Sequence, residues 1–179
     1  MSEQPSYGRQ ITLRAQEHPD RIALIHAAAD GSEREVTWRE LEARCNQTAR
    51  LLKKKGIGQG SVVVVALVNS PEHYYCTIGA WKLGATVLPM RWDLPAWERD
   101  RLLNLAKANV VVANWDIKPG EEPAAPLVTL AEVQAGTNLD SGVLPDRVPN
   151  PANGITSSGS TGSPKLIAEP RRAHRRALA

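Results

Sequence analysis

Phenylalanine is absent from this chain of 179 residues, and cysteine and methionine occur only twice each. Five Trp and three Tyr supply the aromatic volume instead. Apolar residues make up 42% and charged residues 23% of the chain, which is typical of a globular protein with a core of ordinary size. The two cysteines, Cys45 and Cys76, fall in helical patterns and are expected to be unpaired thiols.

Long apolar runs are also missing. No stretch approaches the ~20 apolar residues of a membrane-spanning helix, so no membrane span is expected. The start of the chain, 1–5, lacks the charged and apolar regions of a signal peptide. We therefore expect a cytoplasmic protein.

The chain has little net charge outside its last nine residues. The formal charge is +3, from 22 basic and 19 acidic side chains. Four of the basic residues (Arg171, Arg172, Arg175 and Arg176) lie in that tail, so the remainder holds 18 basic against 19 acidic residues, or −1. A basic tail without interleaved aromatics is typical of a solvated end, and no nucleic-acid partner is expected.

The apolar pattern predicts alternating helices and strands. Helices are expected over 7–17, from Thr37 to Gly56, from Ser70 to Gly84 and over 95–108; strands are expected over 21–26, 35–36, 61–67, 85–89, 109–113, 127–129, 154–156 and 166–168. The unbroken apolar run 61–67 indicates a strand covered on both faces of a parallel sheet. The sequence therefore predicts an α/β fold with a mostly parallel sheet and flanking helices.

Several side chains carry more specific expectations. Thr37 and Glu40 have the spacing of a capping box, and Lys82 should complement a helix end. His73 is expected as a surface residue in a first helical turn rather than as a catalytic base. In the helix over 95–108, the inward face should hold Trp97, Leu102, Leu105 and Ala106.

Three regions divide the chain by composition. We expect an α/β subdomain over 1–114, a proline-rich connection over 115–153, and a loop segment with the basic tail over 154–179, all parts of one incomplete domain.

The loop segment holds the most distinctive stretch. Residues 156–165 contain six Ser or Thr, two Gly and one closing lysine, Lys165. Glycines let the backbone approach an anion, and successive N–H groups form an anion nest. The spacing differs from a Walker loop, and Pro164 should lead the chain out in extended form. A flexible Gly/Ser linker is the alternative that this composition serves equally well.

The ordered run over 157–165 resembles the phosphate-loop signature of the adenylate-forming, or AMP-binding, superfamily. Residues 18–25, 36–41 and 79–90 are also similar to segments of its acyl-CoA synthetases. This resemblance implies that the phosphate-binding residues for ATP are Ser157, Ser158, Gly159, Ser160, Thr161, Gly162 and Lys165. It implies no catalytic nucleophile or base and no metal ligand in this chain.

The resemblance also implies a reaction. A carboxylate attacks the α-phosphorus of ATP, with Mg²⁺ sharing the phosphate charge, and gives an acyl-adenylate and pyrophosphate. A thiol, usually that of coenzyme A, then takes the acyl group as a thioester and releases AMP. The family's adenine and acyl pockets and its C-terminal catalytic lysine follow the loop, whereas this chain stops fourteen residues after Lys165.

We therefore expect the N-terminal fragment of an acid-CoA ligase that is inactive alone. An uncovered sheet predicts self-association. The alternatives are a non-catalytic relic that binds ATP or pyrophosphate, a peptide-synthetase-type adenylation fragment, and an unrelated binding module. The basic end, 171–179, departs from the family pattern, and a broken reading frame is one hypothesis for it.

Overall fold

The computed structural model describes residues 5–157 and 165–169, and the account below concerns these ranges. The helices are α1 (Tyr7–Glu17), α2 (Trp38–Lys54), α3 (Pro71–Lys82), α4 (Ala96–Ala106) and α5 (Leu130–Ala135), followed by a short 3-10 helix (Gly136–Asn138). The strands are β1 (Ile22–Ala27), β2 (Glu33–Thr37), β3 (Val62–Ala66), β4 (Thr86–Pro89), β5 (Val110–Ala113), β6 (Leu127–Thr129), β7 (Asn153–Ser157) and β8 (Lys165–Glu169). No helix in these ranges has the length and apolar character needed to cross a bilayer.

Six of the strands form one sheet in the order β6-β5-β3-β4-β7-β8. All its pairs are parallel except β7 with β8, which is antiparallel. The α/β class with a mostly parallel sheet is thereby confirmed. Strands β1 and β2 form a separate antiparallel hairpin, close to the strands expected over 21–26 and 35–36.

The valine-rich central strands are buried because helices cover both faces of the sheet. On one face Val63, Val65 and Val87 pack against residues of α2 and α3. On the other face Val64 and Leu88 pack against residues of α4. Strands β3 and β4 are neighbours, but the helix that follows β3 packs on one face of the sheet and the helix that follows β4 packs on the other. Such a place is a topological switch point, and open α/β sheets bind ligands there.

The predicted helix starts are largely confirmed. Ser70 caps α3, with Pro71 at its first position, and Thr37 accepts a hydrogen bond from the Glu40 N–H. A capping box also needs a hydrogen bond from the Thr37 N–H to the Glu40 carboxylate. That part of the prediction is wrong, because the carboxylate instead pairs with Arg34 at 3.0 Å. This ion pair joins β2 to the first turn of α2.

Helix α4 turns a different face inward than its apolar pattern predicts. Leu102 and Ala106 are buried as expected, but Trp97 and Leu105 are exposed. The buried positions are completed by Leu103 and by Arg99, whose guanidinium lies 4.7 Å from the ring centre of Trp115. An arginine can occupy this position because its aromatic neighbour accepts the cation, and its terminal nitrogen donates to the Glu121 carbonyl at 3.1 Å.

Lys82 lies in the last turn of α3, as expected, but it also forms a buried ion pair that its position in the helix does not predict. Its ammonium is buried and lies 2.8 Å from the Glu42 carboxylate and 2.9 Å from the Thr12 hydroxyl. Asn46 donates to the same carboxylate at 3.0 Å. This network connects α1, α2 and α3 at a point where three helices meet.

The connecting region 115–153 contains structure beyond the predicted strand. Besides β6, it forms α5, whose start at Thr129 and Glu132 is a full capping box. Arg44 of α2 donates to the Val133 carbonyl at 3.0 Å and so fixes this helix against α2. The division at 114 and 153 stays a prediction.

Candidate functional site

Two of the seven predicted phosphate-binding residues lie in the antiparallel pair β7 and β8. Ser157 ends β7, Lys165 begins β8, and the two are partners in the strand register. The remaining predicted residues, Ser158, Gly159, Ser160, Thr161 and Gly162, lie outside the described residues.

The edge at which these residues lie is the ligand-binding edge of an α/β sheet. Because β7 runs parallel to β4, Ser157 is at the same edge as the carboxyl ends of β4 and its neighbour β3. Strand β7 is the neighbour of β4, next to the switch point. Ser157 and Lys165 thus lie beside the place where such folds bind ligands.

Three hydrogen bonds hold the chain as it enters β7. Trp81 of α3 donates its indole N–H to the Ala152 carbonyl at 3.1 Å, and the Val87 N–H donates to the same oxygen at 2.9 Å. The Thr86 hydroxyl donates to the Pro151 carbonyl at 2.8 Å, next to a cis peptide bond between Asn150 and Pro151. Sequence patterns gave no signal for this clamp, since the partners are about seventy residues apart.

Close packing at Gly154 continues the same anchorage. A Cβ placed on Gly154 would lie 3.0 Å from Leu88 Cδ1 and 3.4 Å from Leu166 Cδ1. Leu88 and Leu166 therefore pack over the bare Cα, and a larger residue would push the hairpin away from β4.

Further polar groups gather where β4 and β5 end. The Trp115 indole donates to the Trp92 carbonyl at 2.9 Å and joins the two connecting segments. Exposed Asp93 lies 2.7 Å from Arg91, and the hydrogen bond from that guanidinium lowers the pKa of the Asp93 carboxyl.

Burial shifts the pKa of three titratable side chains in helices α2 and α3. His73 is half-buried in the first turn of α3, with its Nδ1 3.4 Å from the Leu67 carbonyl oxygen, and burial lowers the pKa of its imidazole. Cys45 and Cys76 are free but buried, and burial raises the pKa of both thiols. Within 5–157 and 165–169 there is no cluster of three His, Cys, Asp or Glu side chains that would hold a metal ion.

Comparison with known proteins identifies the family. Residues 11–173 match the family model described as AMP-binding enzyme. The chain is 32% identical over 165 residues to bacitracin synthase 3 of Bacillus licheniformis. The aligned region covers 88% of this chain and 2% of the synthase. It is 30% identical over 109 residues to crotonobetaine/carnitine–CoA ligase of Proteus mirabilis, covering 61% of this chain and 21% of the ligase.

A solved structure shows the same fold. The Klebsiella oxytoca NpsA N-terminal subdomain superposes with a TM-score of 0.78 at 26% identity, covering 96% of this chain and 43% of that one. The chain thus spans less than half of that solved chain and a small part of the two relatives.

Proposed function

This chain belongs to the AMP-binding enzyme family, and from that premise we propose that its segment 157–165 grips the β- and γ-phosphates of ATP in an enzyme that activates a carboxylic acid. The observation that carries the proposal is the pairing of Ser157 with Lys165 at the ligand-binding edge of the sheet. Seven residues rich in Ser, Thr and Gly then connect two fixed points.

Each residue type in the segment has a role in this proposal. Ser158, Ser160, Thr161 and Gly162 supply O–H and N–H donors for phosphate oxygens. Lys165, exposed at the start of β8, supplies the fixed positive charge. Together they neutralise and orient the pyrophosphate as it leaves.

The chemistry needs little else from this part of the protein. A carboxylate oxygen of the substrate is already an anionic nucleophile, so its attack on the α-phosphorus requires no general base. The barrier falls because donors are aimed at the charge that develops on the leaving pyrophosphate. The described residues do not form a metal cage, and we treat Mg²⁺ as part of the nucleotide substrate rather than as a resident ion.

A thiol then attacks the acyl carbonyl of the resulting acyl-adenylate, forming a thioester and releasing AMP, and two thiols are candidates for this acceptor. The similarity to a CoA ligase favours coenzyme A, whereas the similarity to bacitracin synthase 3 favours the thiol of a peptide-synthetase carrier. We propose a cytoplasmic enzyme, because ATP and both acceptors are found there. Incubating the native gene product with ATP, a panel of carboxylic acids and either acceptor, with thioester detected by mass spectrometry, separates the two.

Thermal melting of the full chain with Mg-ATP or pyrophosphate tests the phosphate grip. A ligand that binds only the folded state, at a hundred times its dissociation constant, adds about 2.7 kcal/mol of stability. Lys165→Ala should abolish the rise in melting temperature, whereas Lys118→Ala, which removes another exposed lysine, should preserve it. No shift at millimolar ligand would refute the proposal and leave a relic without nucleotide binding.

A further inference from the structure

Strand β7 is joined to β4 by far fewer residues than to β8. The register of β7 with β8 runs over five pairs, from Asn153 with Glu169 to Ser157 with Lys165. In the part of the chain that the structure describes, the register of β7 with β4 consists of one pair, Val87 with Asn153, whereas β3 and β4 share four pairs. The β7–β8 hairpin is therefore a unit that a single register pair attaches to the parallel sheet.

A proline limits the ladder between β4 and β7. The N–H groups along β4 and the residue after it point alternately to its two neighbours: that of Val87 donates to the Ala152 carbonyl at 2.9 Å, and that of Met90 donates to the Val65 carbonyl of β3 at 3.0 Å. By this alternation the next donor toward β7 would be Pro89, which has no N–H. Strand β4 thus supplies β7 with one backbone donor.

A hairpin attached in this way has a weakly specified register. A slip by one residue would move β7 along β4 by about 3.3 Å and turn each of its side chains to the opposite face of the sheet. Ser157 and its partner Lys165 would move with the strand. Gly154 opposes a slip, because a Cβ at its position would crowd Leu88. The remaining restraint has to come from outside the ladder.

The clamp ahead of β7 supplies part of this restraint. The Thr86 hydroxyl holds the Pro151 carbonyl at 2.8 Å, and the Trp81 indole holds the Ala152 carbonyl at 3.1 Å. Both acceptors directly precede Asn153, the residue that forms the register pair with β4. The clamp therefore determines which residue of the incoming chain reaches β4 first.

Gln59 adds a third bond farther upstream. Its side-chain amide donates to the Val148 carbonyl at 2.9 Å. Gly84, whose φ is 76°, lies beside this side chain, and a Cβ there would overlap the Gln59 amide. The next residue, Gly60, donates its N–H to the Gly84 carbonyl at 3.0 Å. The turn before β4 thus leaves room for Gln59 to reach the segment that leads into β7.

We propose that Gln59, Trp81 and Thr86 are positioning residues that set the register of β7 against β4 and thereby place the ATP phosphate-binding segment. All three hold the chain ahead of β7, whereas Ser157 lies four residues beyond Asn153, or about 13 Å along the strand. They therefore act through the strand rather than on the nucleotide. The register part of the inference stands alone, and the part that concerns phosphates rests on the proposed function.

The distance between two nitroxide spin labels, measured by pulsed electron paramagnetic resonance on the full chain, tests the register. Ile155→Cys and Leu105→Cys place the labels on β7 and on α4, at positions that are 54% and 42% exposed. The native Cys45 and Cys76 are fully buried, so the labelling reagent should not reach them. The parent chain should give one narrow distance distribution.

The double variant Trp81→Phe with Thr86→Val removes both donors of the clamp while keeping an aromatic ring and a branched side chain. It should widen the distance distribution at least twofold, because β7 then samples registers that are about 3.3 Å apart. Thr86→Ser keeps the hydroxyl donor, so Trp81→Phe with Thr86→Ser should be no wider than Trp81→Phe alone.

A matched control separates register from general loosening. Gln47→Met removes an amide that donates to two backbone carbonyls earlier in the same connecting region, at 2.7 and 3.1 Å, and should leave the distribution unchanged. If the double variant does not fold, Gln59→Met and Thr86→Val, which each remove one donor, should each show a smaller widening. The proposal is overturned if none of these variants widens the distribution, or if Gln47→Met widens it equally.

Titration of the same variants with Mg-ATP, without labels, tests the link to the phosphate-binding segment. The double variant should raise the Kd at least tenfold, and Gln47→Met should leave the Kd unchanged. A wider distance distribution with an unchanged Kd would overturn the link. If the parent chain does not bind Mg-ATP, the proposed function fails, whereas the distance measurement still decides whether these residues set the register.

Discussion

Replacing Lys82 by methionine tests how much the buried ion pair between α3 and α2 stabilises the fold. The Lys82 and Glu42 side chains are 4% and 10% exposed, with nitrogen and oxygen 2.8 Å apart. Removing one partner of a buried pair typically costs about 3–5 kcal/mol, because the other charge stays desolvated. Here Thr12 and Asn46 continue to donate to Glu42, at 2.8 and 3.0 Å. We therefore expect the lower end of the range, about 3 kcal/mol.

A second ion pair in the same chain provides the control. Lys55 and Glu132 also lie 2.8 Å apart, but their side chains are 38% and 37% exposed. Exposed pairs contribute about 0–1 kcal/mol, so Lys55→Met should change the free energy of unfolding by less than that. The two substitutions are alike in chemistry and distance and differ in burial.

Urea unfolding followed by tryptophan fluorescence measures both variants. In a thermal melt of a protein of this size, a loss of about 3 kcal/mol would lower the melting temperature by about 6–12 °C. Adding Glu42→Gln to Lys82→Met removes the stranded charge while keeping an acceptor for Thr12 and Asn46, and should restore at least half of the loss. The reasoning fails if Lys82→Met costs no more than Lys55→Met, or if the second substitution restores nothing.

Two further predictions concern helix packing and pH. Gly79→Ala would place a Cβ 3.1 Å from the backbone of Ala49 and Cys45, so it should destabilise the chain by about 1–3 kcal/mol in urea unfolding. In the control Gly58→Ala the new Cβ meets open space, and the cost should be less than about 0.5 kcal/mol, as for ordinary surface changes. Equal effects of the two substitutions would contradict the packing argument. Burial raises the pKa of Tyr75 to about 12, although nearby Arg34 opposes the shift. The unfolded chain therefore loses this proton first, stability should fall from about pH 10 to 12, and Tyr75→Phe should flatten that fall unless another group causes it.

Local signals account for most of the helices and strands that could be predicted from the sequence. Ser70 with Pro71 fixed the start of α3, and the unbroken run of valines after Ser61 identified β3 as a buried parallel strand. Helix α5 was not predicted, because it has only six residues and lies inside a proline-rich region. Its capping pair, Thr129 and Glu132, was nevertheless present as a signal.

Two arrangements depend on partners that are distant in sequence. Lys82 occupies the last turn of α3 as expected, but its carboxylate partner Glu42 is forty residues away and was not predicted. Trp97 fits the apolar pattern of α4, yet Arg99 takes an inward position because Trp115 lies across from it. Neither arrangement follows from helical spacing alone.

At the candidate site, too, only some of the features could be predicted from the sequence. The extended segments on both sides of the loop were predicted from their residues and are confirmed as β7 and β8. The clamp by Trp81 and Thr86 could not be predicted, since it depends on which strand β7 joins. The assignment of phosphate-binding roles to 157–165 stays a prediction.

The position of β7 beside β4 also affects how the protein is made. These strands are neighbours in the sheet, but β3, β4, β5 and β6 are all synthesised before β7 appears. At about 5–20 residues per second, the ribosome needs several seconds to pass from β4 to β7. Throughout that interval the backbone of β4 has a free edge that any other extended chain can occupy. The strand that leads into the loop is thus the last to close the parallel part of the sheet, and overexpression at lower temperature or with chaperones should improve the yield of folded protein.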